Sequence, residues 1–242
     1  MQVFGHRGSP GFPRFAENTR ASFRKALELG AVGFELDTRL SGDGTVVVIH
    51  DATLERTTNG AGRVSRFSYE ELQKLDAGNG DVIPRLSDVL DEFGGRCPIQ
   101  IELKEAGIAH RVAEMVVQRQ ITPHVVVIAF DADDVDEFSS SSWSDLRDIA
   151  GSVPTALLIT SRKLRRIGNE AFIAAARRQA ATALHVPRDI AGEELIRLAA
   201  ASGFPVRVWT VNVPAEAVRL RDLGAESICS DVPAVCLQAL AQ

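Results

Sequence analysis

Short apolar runs alternate along this chain with longer stretches whose apolar residues recur every three or four positions. The short runs have the pattern of strands, the longer ones that of amphipathic helices. Residues 3–5 read as a first strand and 19–29 as a helix, which Gly30 ends by permitting a left-handed cap. Residues 32–40 form a second strand, and 45–49 an extra one joined to it as a hairpin through Gly42, Asp43 and Gly44. The rhythm continues with strands at 99–103, 125–130, 156–159, 183–186, 206–211 and 227–229. Helices are expected at 86–93, 108–119, 132–138, 170–179, 193–202, 215–223 and 234–240.

Repeated βα units with short connections imply a parallel sheet. Eight such units fit a closed (β/α)8 TIM barrel better than an open sheet, and 242 residues match the usual size of about 250. The expectation is a single domain over residues 1–242. Two stretches break the rhythm. Residues 51–83 are polar and turn-rich and hold no clear barrel strand. A serine run at 139–142 reads as a surface loop.

Composition narrows the classes. A net charge of −5 without a basic stripe argues against nucleic acid. The one dense basic run, Arg162, Lys163, Arg165 and Arg166, reads as a solvated loop and helix start. No apolar stretch approaches the roughly 20 residues of a membrane span. No export signal leads into Val3, so a cytoplasmic location is expected. Cys97, Cys229 and Cys236 are odd in number, lack metal-ligand spacing and read as buried free thiols of a reducing compartment.

The chemistry is concentrated at strand ends. Glu35 and Asp37 flank Leu36, so both carboxylates point to one face of the second strand. On the inner face of a barrel they would repel each other and resist desolvation, a conflict that a divalent cation removes. Glu102 and Lys104 repeat the geometry and bring a third acid and an ammonium to the same interior. All-oxygen ligands favour Mg2+ or Ca2+ over Zn2+. His6 ends the first strand and His50 the extra one, and barrel active sites lie at the C-terminal ends of strands. Histidine suits proton transfer near neutral pH. Arg7 and Lys104 supply positive charge for a phosphate, the arginine through two parallel hydrogen bonds and the lysine as a point charge. Asn18 suits the cap of the helix that follows. His110, His124 and His185 lack acidic neighbours of the right kind.

The series His6-Arg7-Gly8, Glu17-Asn18-Thr19, Glu35-Leu36-Asp37, Asp43-Gly44 and His50-Asp51 resembles the glycerophosphodiester phosphodiesterase family in order and spacing. The likeness continues through Leu54, Arg56-Thr57-Thr58-Asn59-Gly60, Glu102-Leu103-Lys104 and Val208-Trp209-Thr210-Val211-Asn212. The resemblance implies a TIM barrel with an insertion after its second strand. It implies hydrolysis of glycerophosphodiesters to sn-glycerol 3-phosphate and an alcohol. It assigns the metal to Glu35, Asp37 and Glu102, acid–base work to His6 and His50, and a place at the substrate to Trp209. Strict alternation would put Trp209 and Asn212 on opposite faces, so both reach the site only if the strand ends before Asn212. Many relatives carry Ser-Phe where this chain has Ala129-Phe130, and the last strand, Ser227-Ile228-Cys229-Ser230-Asp231, also departs from the usual pattern. Those departures bear on substrate preference, not reaction class. The rival readings are a phospholipase on the same barrel and a barrel that binds phosphodiesters without cleaving them. Deacylated, water-soluble diesters are expected to be better substrates than intact phospholipids, because the apolar residues of 51–83 are scattered among polar ones.

Overall fold

The computed structural model of the chain describes residues 1–11, 16–131 and 143–242. Strand β1 (Gln2–Gly5) leads to α1 (Arg20–Glu28), β2 (Gly33–Leu40), β3 (Val46–Val48), α2 (Tyr69–Leu72) and α3 (Leu86–Phe93). There follow β4 (Ile99–Leu103), α4 (Ala109–Gln118), β5 (Val125–Ala129), α5 (Trp143–Ile149), β6 (Thr155–Leu158), α6 (Ser161–Ile167) and α7 (Asn169–Arg178). The chain ends with β7 (Ala183–Pro187), α8 (Glu193–Ala201), β8 (Val206–Trp209), α9 (Pro214–Asp222), β9 (Ser227–Ser230) and α10 (Pro233–Leu240).

Eight parallel strands pair in the circular order β1-β2-β4-β5-β6-β7-β8-β9 and return to β1, closing a (β/α)8 barrel. β1 makes the closure, with Phe4 opposite Gly33 on β2 and Gln2 opposite Ser227 on β9. Gly33 is required by the closeness of its neighbours, since a Cβ there would lie 1.9 Å from the carbonyl oxygen of Pro98. β3 runs antiparallel to β2, Leu40 opposite Val46, as the expected hairpin.

Strand alternation divides the side chains into two sets. Val3, Phe34, Leu36, Ile101, Val127, Leu157, Leu184, Val208 and Ile228 face the helices and join Phe23, Leu90, Val112, Phe172 and Leu220 in the main core. Phe34 stacks on Phe23 of α1 with ring centroids 4.2 Å apart and meets Phe93 of α3 edge-on at 5.2 Å. Inside the barrel the apolar cluster is small: Val126, Ile128, Ala156, Leu158 and Ala183, with Phe130 and Trp209 against it. A third cluster belongs to the stretch between β3 and α3, where Ile49, Leu54, Val64, Tyr69, Leu72, Ala77 and Ile83 pack on Val47. Its helix α2 starts with a capping box between Ser68 and Glu71.

Several local expectations are revised. The cap of α1 is Thr19, whose side chain accepts from the amide of Ser22, and not Asn18. The basic run at 162–166 is helical throughout α6. Thr160 caps it, and Lys163 is buried against Asp131 with its ammonium 4.6 Å from the Trp143 ring, because that pairing and the indole face replace water. Helix α5 has no counterpart in the periodicity reading. β8 stops at Trp209, short of Asn212. The helix expected at 132–138 and the serine run lie outside the described residues.

Truncation of Phe34 to alanine should remove the centre of the aromatic cluster and leave a cavity that the rigid strand cannot close. A loss of about 3–5 kcal/mol of stability is expected, measured by urea unfolding monitored by circular dichroism.

Candidate active site

The turn after β1 places the first pair of residues. Gly8 adopts φ +91°, and a Cβ there would meet Ser22 of α1 at 2.3 Å, so only glycine lets the chain lie against that helix. The Ser22 hydroxyl donates to the carbonyl of Arg7 and accepts from the amide of Ser9. Arg7, itself at φ +52°, is thereby aimed back over the barrel mouth. Its amide donates to Glu35 Oε2 at 3.1 Å, and its guanidinium reaches Asp37 Oδ2 at 3.2 Å and Glu17 Oε1 at 2.9 Å.

Glu35, Asp37 and Glu102 are all buried. Register sets Asp37 directly opposite Glu102. One oxygen from each acid lies within 4.8 Å of the others. Lys104, also buried, puts its Nζ 2.5 Å from Glu102 Oε1 and 3.3 Å from Asp37 Oδ1. Asn18 supports the cluster. Its amide donates to Asp37 Oδ2 at 2.8 Å, and its carbonyl accepts from the Asp37 amide at 3.3 Å.

The electrostatics differ among the acids. Burial, reinforced by the charges of Asp37 and Glu102, pushes Glu35 well above the ordinary carboxylate range. Burial acts in the same direction on Asp37, but Lys104 and Arg7 outweigh it and hold that carboxyl far below its usual value. Burial opposes the charge on Lys104, yet Glu102 and Asp37 raise its pKa. Glu35 Oε1 is buried and has no hydrogen-bond partner among the described residues. An unpartnered, desolvated carboxylate oxygen beside two further carboxylates is the donor set of a hard divalent cation, so the three acids fit such an ion.

Two histidines flank the acids. His6 Nδ1 lies 2.7 Å from Asp231 Oδ1, and its Nε2 is 4.0 Å from Glu35 Oε2. Asp231 is clamped by Asn212, which donates to Asp231 Oδ2 at 2.6 Å and accepts from the Asp231 amide at 2.9 Å. The end of β8 at Trp209 is what frees Asn212 to reach across to β9. His50 Nδ1 lies 2.6 Å from Asp51 Oδ1. Arg56 grips Asp51 at 2.6 and 2.9 Å and Glu17 twice at 2.8 Å, and Glu17 returns to Arg7. Burial, with help from Lys104 and Arg7, lowers the pKa of His50 despite the nearby Asp37.

His6, Arg7, Glu35, His50, Glu102, Lys104 and Trp209 line one cavity of about 260 Å3. Asp37, the one remaining site residue expected from sequence, does not line it and joins the group through its ion pairs with Lys104 and Arg7. Trp209 stands edge-on to Phe130, with centroids 5.6 Å apart. Sequence reasoning missed Asp231, Asn212 and the Asp51–Arg56–Glu17 chain as partners. Asp231 follows directly on the last strand, a strand-end position that could have drawn notice.

The profile of the glycerophosphoryl diester phosphodiesterase family matches residues 6–235. A glycerophosphodiester phosphodiesterase of Caldanaerobacter subterraneus is 32% identical, with 96% of this chain and 94% of that one aligned. The crystal structure of a glycerophosphodiester phosphodiesterase from Thermotoga maritima superposes with a TM-score of 0.80 at 28% identity, over 99% of this chain and 97% of that one. A phosphodiesterase of Oleispira antarctica, solved in complex with the product sn-glycerol-3-phosphate, superposes with a TM-score of 0.81 at 24% identity, over 100% and 97% of the two chains. Fold and site together are those of a barrel hydrolase of phosphoric diesters. The chain belongs to the glycerophosphoryl diester phosphodiesterase family.

Replacing Glu35 by glutamine should stabilise the metal-free protein at neutral pH. Because the folded-state pKa of Glu35 is raised, the protonated carboxyl is the form that favours folding. That contribution is complete below the unfolded value of about 4.3 and is lost as pH rises through the folded value. Glu35→Gln mimics the protonated form, so its advantage should be present at pH 7 and vanish near pH 4. Thermal melts in chelator at both pH values check this, and added Mg2+ or Ca2+ should raise the melting temperature of the wild type more than that of the variant.

Proposed function

We propose that this enzyme hydrolyses glycerophosphodiesters to sn-glycerol 3-phosphate and an alcohol, with one divalent cation, Mg2+ or Ca2+, held by Glu35, Asp37 and Glu102. The observation that carries the reading is a cluster of three buried acids, two of which share one cavity with two carboxylate-anchored histidines, Arg7 and Lys104, in a member of this family. The product bound to the Oleispira antarctica phosphodiesterase supports the same substrate class.

Bound there, the cation would neutralise charge that develops at phosphorus. The protein's own groups do the rest. Arg7 and Lys104 draw the phosphate between them, and Trp209 with Phe130 walls the cavity. Each imidazole is fixed through Nδ1 by a carboxylate, which selects its tautomer and leaves proton exchange to Nε2. His50 is kept neutral by burial and by the cations beside it, so it suits the proton acceptor. It takes the proton of the oxygen that attacks phosphorus, either water itself or the glycerol 2-hydroxyl with water opening the cyclic phosphate afterwards, and His6 donates a proton to the departing alcohol as its P–O bond breaks. The groove that leads out past His6 and Arg7 is bordered by Glu17, Arg56, Thr58, Asn59 and Asp76 and offers acyl chains little to pack against, which favours deacylated substrates.

Glycerophosphocholine, glycerophosphoethanolamine and the matching diacyl lipids, each assayed for product release with and without chelator, test the reading. Turnover of the deacylated pair alone, abolished by chelation and restored by Mg2+ or Ca2+, is expected. Full activity after exhaustive chelation would remove the metal, and equal cleavage of the diacyl lipids would favour a phospholipase. His6→Ala and His50→Ala should each lower kcat by about 10²- to 10⁴-fold with substrate affinity better preserved, read from steady-state kinetics and substrate titration.

A further inference from the structure

Beyond the acids and the two histidines, the cavity has a wall that, Trp209 apart, the mechanism leaves unused. On β5 to β7 the interior is apolar, formed by Val126, Ile128, Ala156, Leu158 and Ala183. Around β7 to β9 it is polar. The register aligns His185 with Arg207 and Arg207 with Ser227, so these three share one level of the barrel. Arg207 is engaged, its Nε donating to Glu226 at 2.6 Å. His185 and Ser227 are not. Both are almost fully buried, at 3% and 0% exposure, and among the described residues neither His185 Nε2 nor Ser227 Oγ has a hydrogen-bond partner. The indole Nε1 of Trp209, on the same wall, is buried and also lacks one among the described residues. Buried polar side-chain atoms without partners are rare in folded proteins.

All three residues line the same cavity as His6, Glu35 and Lys104. At about 260 Å3 it exceeds by several fold the roughly 30 Å3 that one water occupies. Three polar groups of the wall are neutral, and the fourth, Arg207, is paired with Glu226. Burial and the charge of Arg207 keep His185 neutral, Trp209 is a neutral donor, and Ser227 can donate or accept. The three neutral groups match alcohol groups, whereas Arg7 and Lys104 bring charge to the side of the three acids.

We propose that His185, Ser227 and Trp209 form the subsite that recognises the glycerol hydroxyls, with His185 Nε2 as the central contact. This rests on the proposed substrate class. The head-group alcohol then lies on the other side of the phosphate, toward the groove bordered by Glu17, Arg56, Thr58, Asn59 and Asp76. His185 is accordingly a specificity residue for the glycerol moiety and indifferent to the head group.

The test is calorimetric titration of the Mg2+-supplemented enzyme with sn-glycerol 3-phosphate and with propyl phosphate, which keeps the carbon chain and phosphate but lacks both hydroxyls. The wild type should prefer sn-glycerol 3-phosphate by about tenfold or more. His185→Leu should bring that ratio close to one with propyl phosphate affinity unchanged, and Ser227→Ala should lower it by about threefold. Loss of kcat/KM in either variant should be the same for glycerophosphocholine and glycerophosphoethanolamine. A wild-type ratio near one, variants that keep the wild-type ratio, parallel weakening of both ligands, or a loss that depends on the head group would each overturn the assignment. Should His185→Leu not fold, by its melting curve, the ratio in Ser227→Ala decides. A wild type that binds with the expected ratio yet releases no sn-glycerol 3-phosphate from glycerophosphocholine would sink the activity reading, not the subsite.

Discussion

Three carboxylates buried against one another are the constraint around which this structure is arranged. Glu35, Asp37 and Glu102 bring their oxygens within 4.8 Å in the barrel mouth, where water cannot screen them. Like charges so placed are tolerated only if neutralised, protonated or bridged. Lys104 compensates Asp37 at Oδ1, and Arg7 and Asn18 share its Oδ2. Glu35 is the acid left over, with one oxygen bonded to the Arg7 amide and the other without a hydrogen-bond partner among the described residues. That imbalance gives the cluster a donor set that a hard divalent cation would fit.

The histidines show how the periphery serves that centre. His6 is fixed by Asp231, which Asn212 holds from the end of β8. His50 is fixed by Asp51, whose charge is shared with Arg56 and, through Glu17, with Arg7. The second network ties the stretch between β3 and α3 to the turn after β1, so that stretch does more than cover the mouth. It sets the tautomer of one histidine and the position of the arginine beside the acids.

A TIM barrel interior is ordinarily filled by bulky aliphatic side chains. Here the filling is apolar on β5 to β7 and polar from β7 through β9 to β4, and a cavity separates the halves. That departure places neutral hydrogen-bonding groups below a charged rim, a division suited to a ligand with one anionic and one hydroxylated part.

Much of this was legible in the chain. Alternation alone put Glu35 with Asp37 and Glu102 with Lys104 on inner faces, because a strand's period of two leaves no other choice once Leu36 and Leu103 are buried. The βα rhythm identified the barrel, and the strand-end rule placed His6 and His50 at one mouth. What sequence could not supply were contacts between residues far apart in the chain. Asp231 meets His6 across 225 positions only because barrel closure sets β9 beside β1. Asn18, well suited by type to cap a helix, is turned by a left-handed backbone toward Asp37, and Thr19 caps in its place. The pairing of Lys163 with Asp131 converts a run that looked solvated into a partly buried helix. His185 had no acidic neighbours to recommend it. Its isolation from partners and its place in the cavity are properties of the closed barrel, since a residue's neighbours across a sheet are decided by strand order and register, and periodicity carries neither.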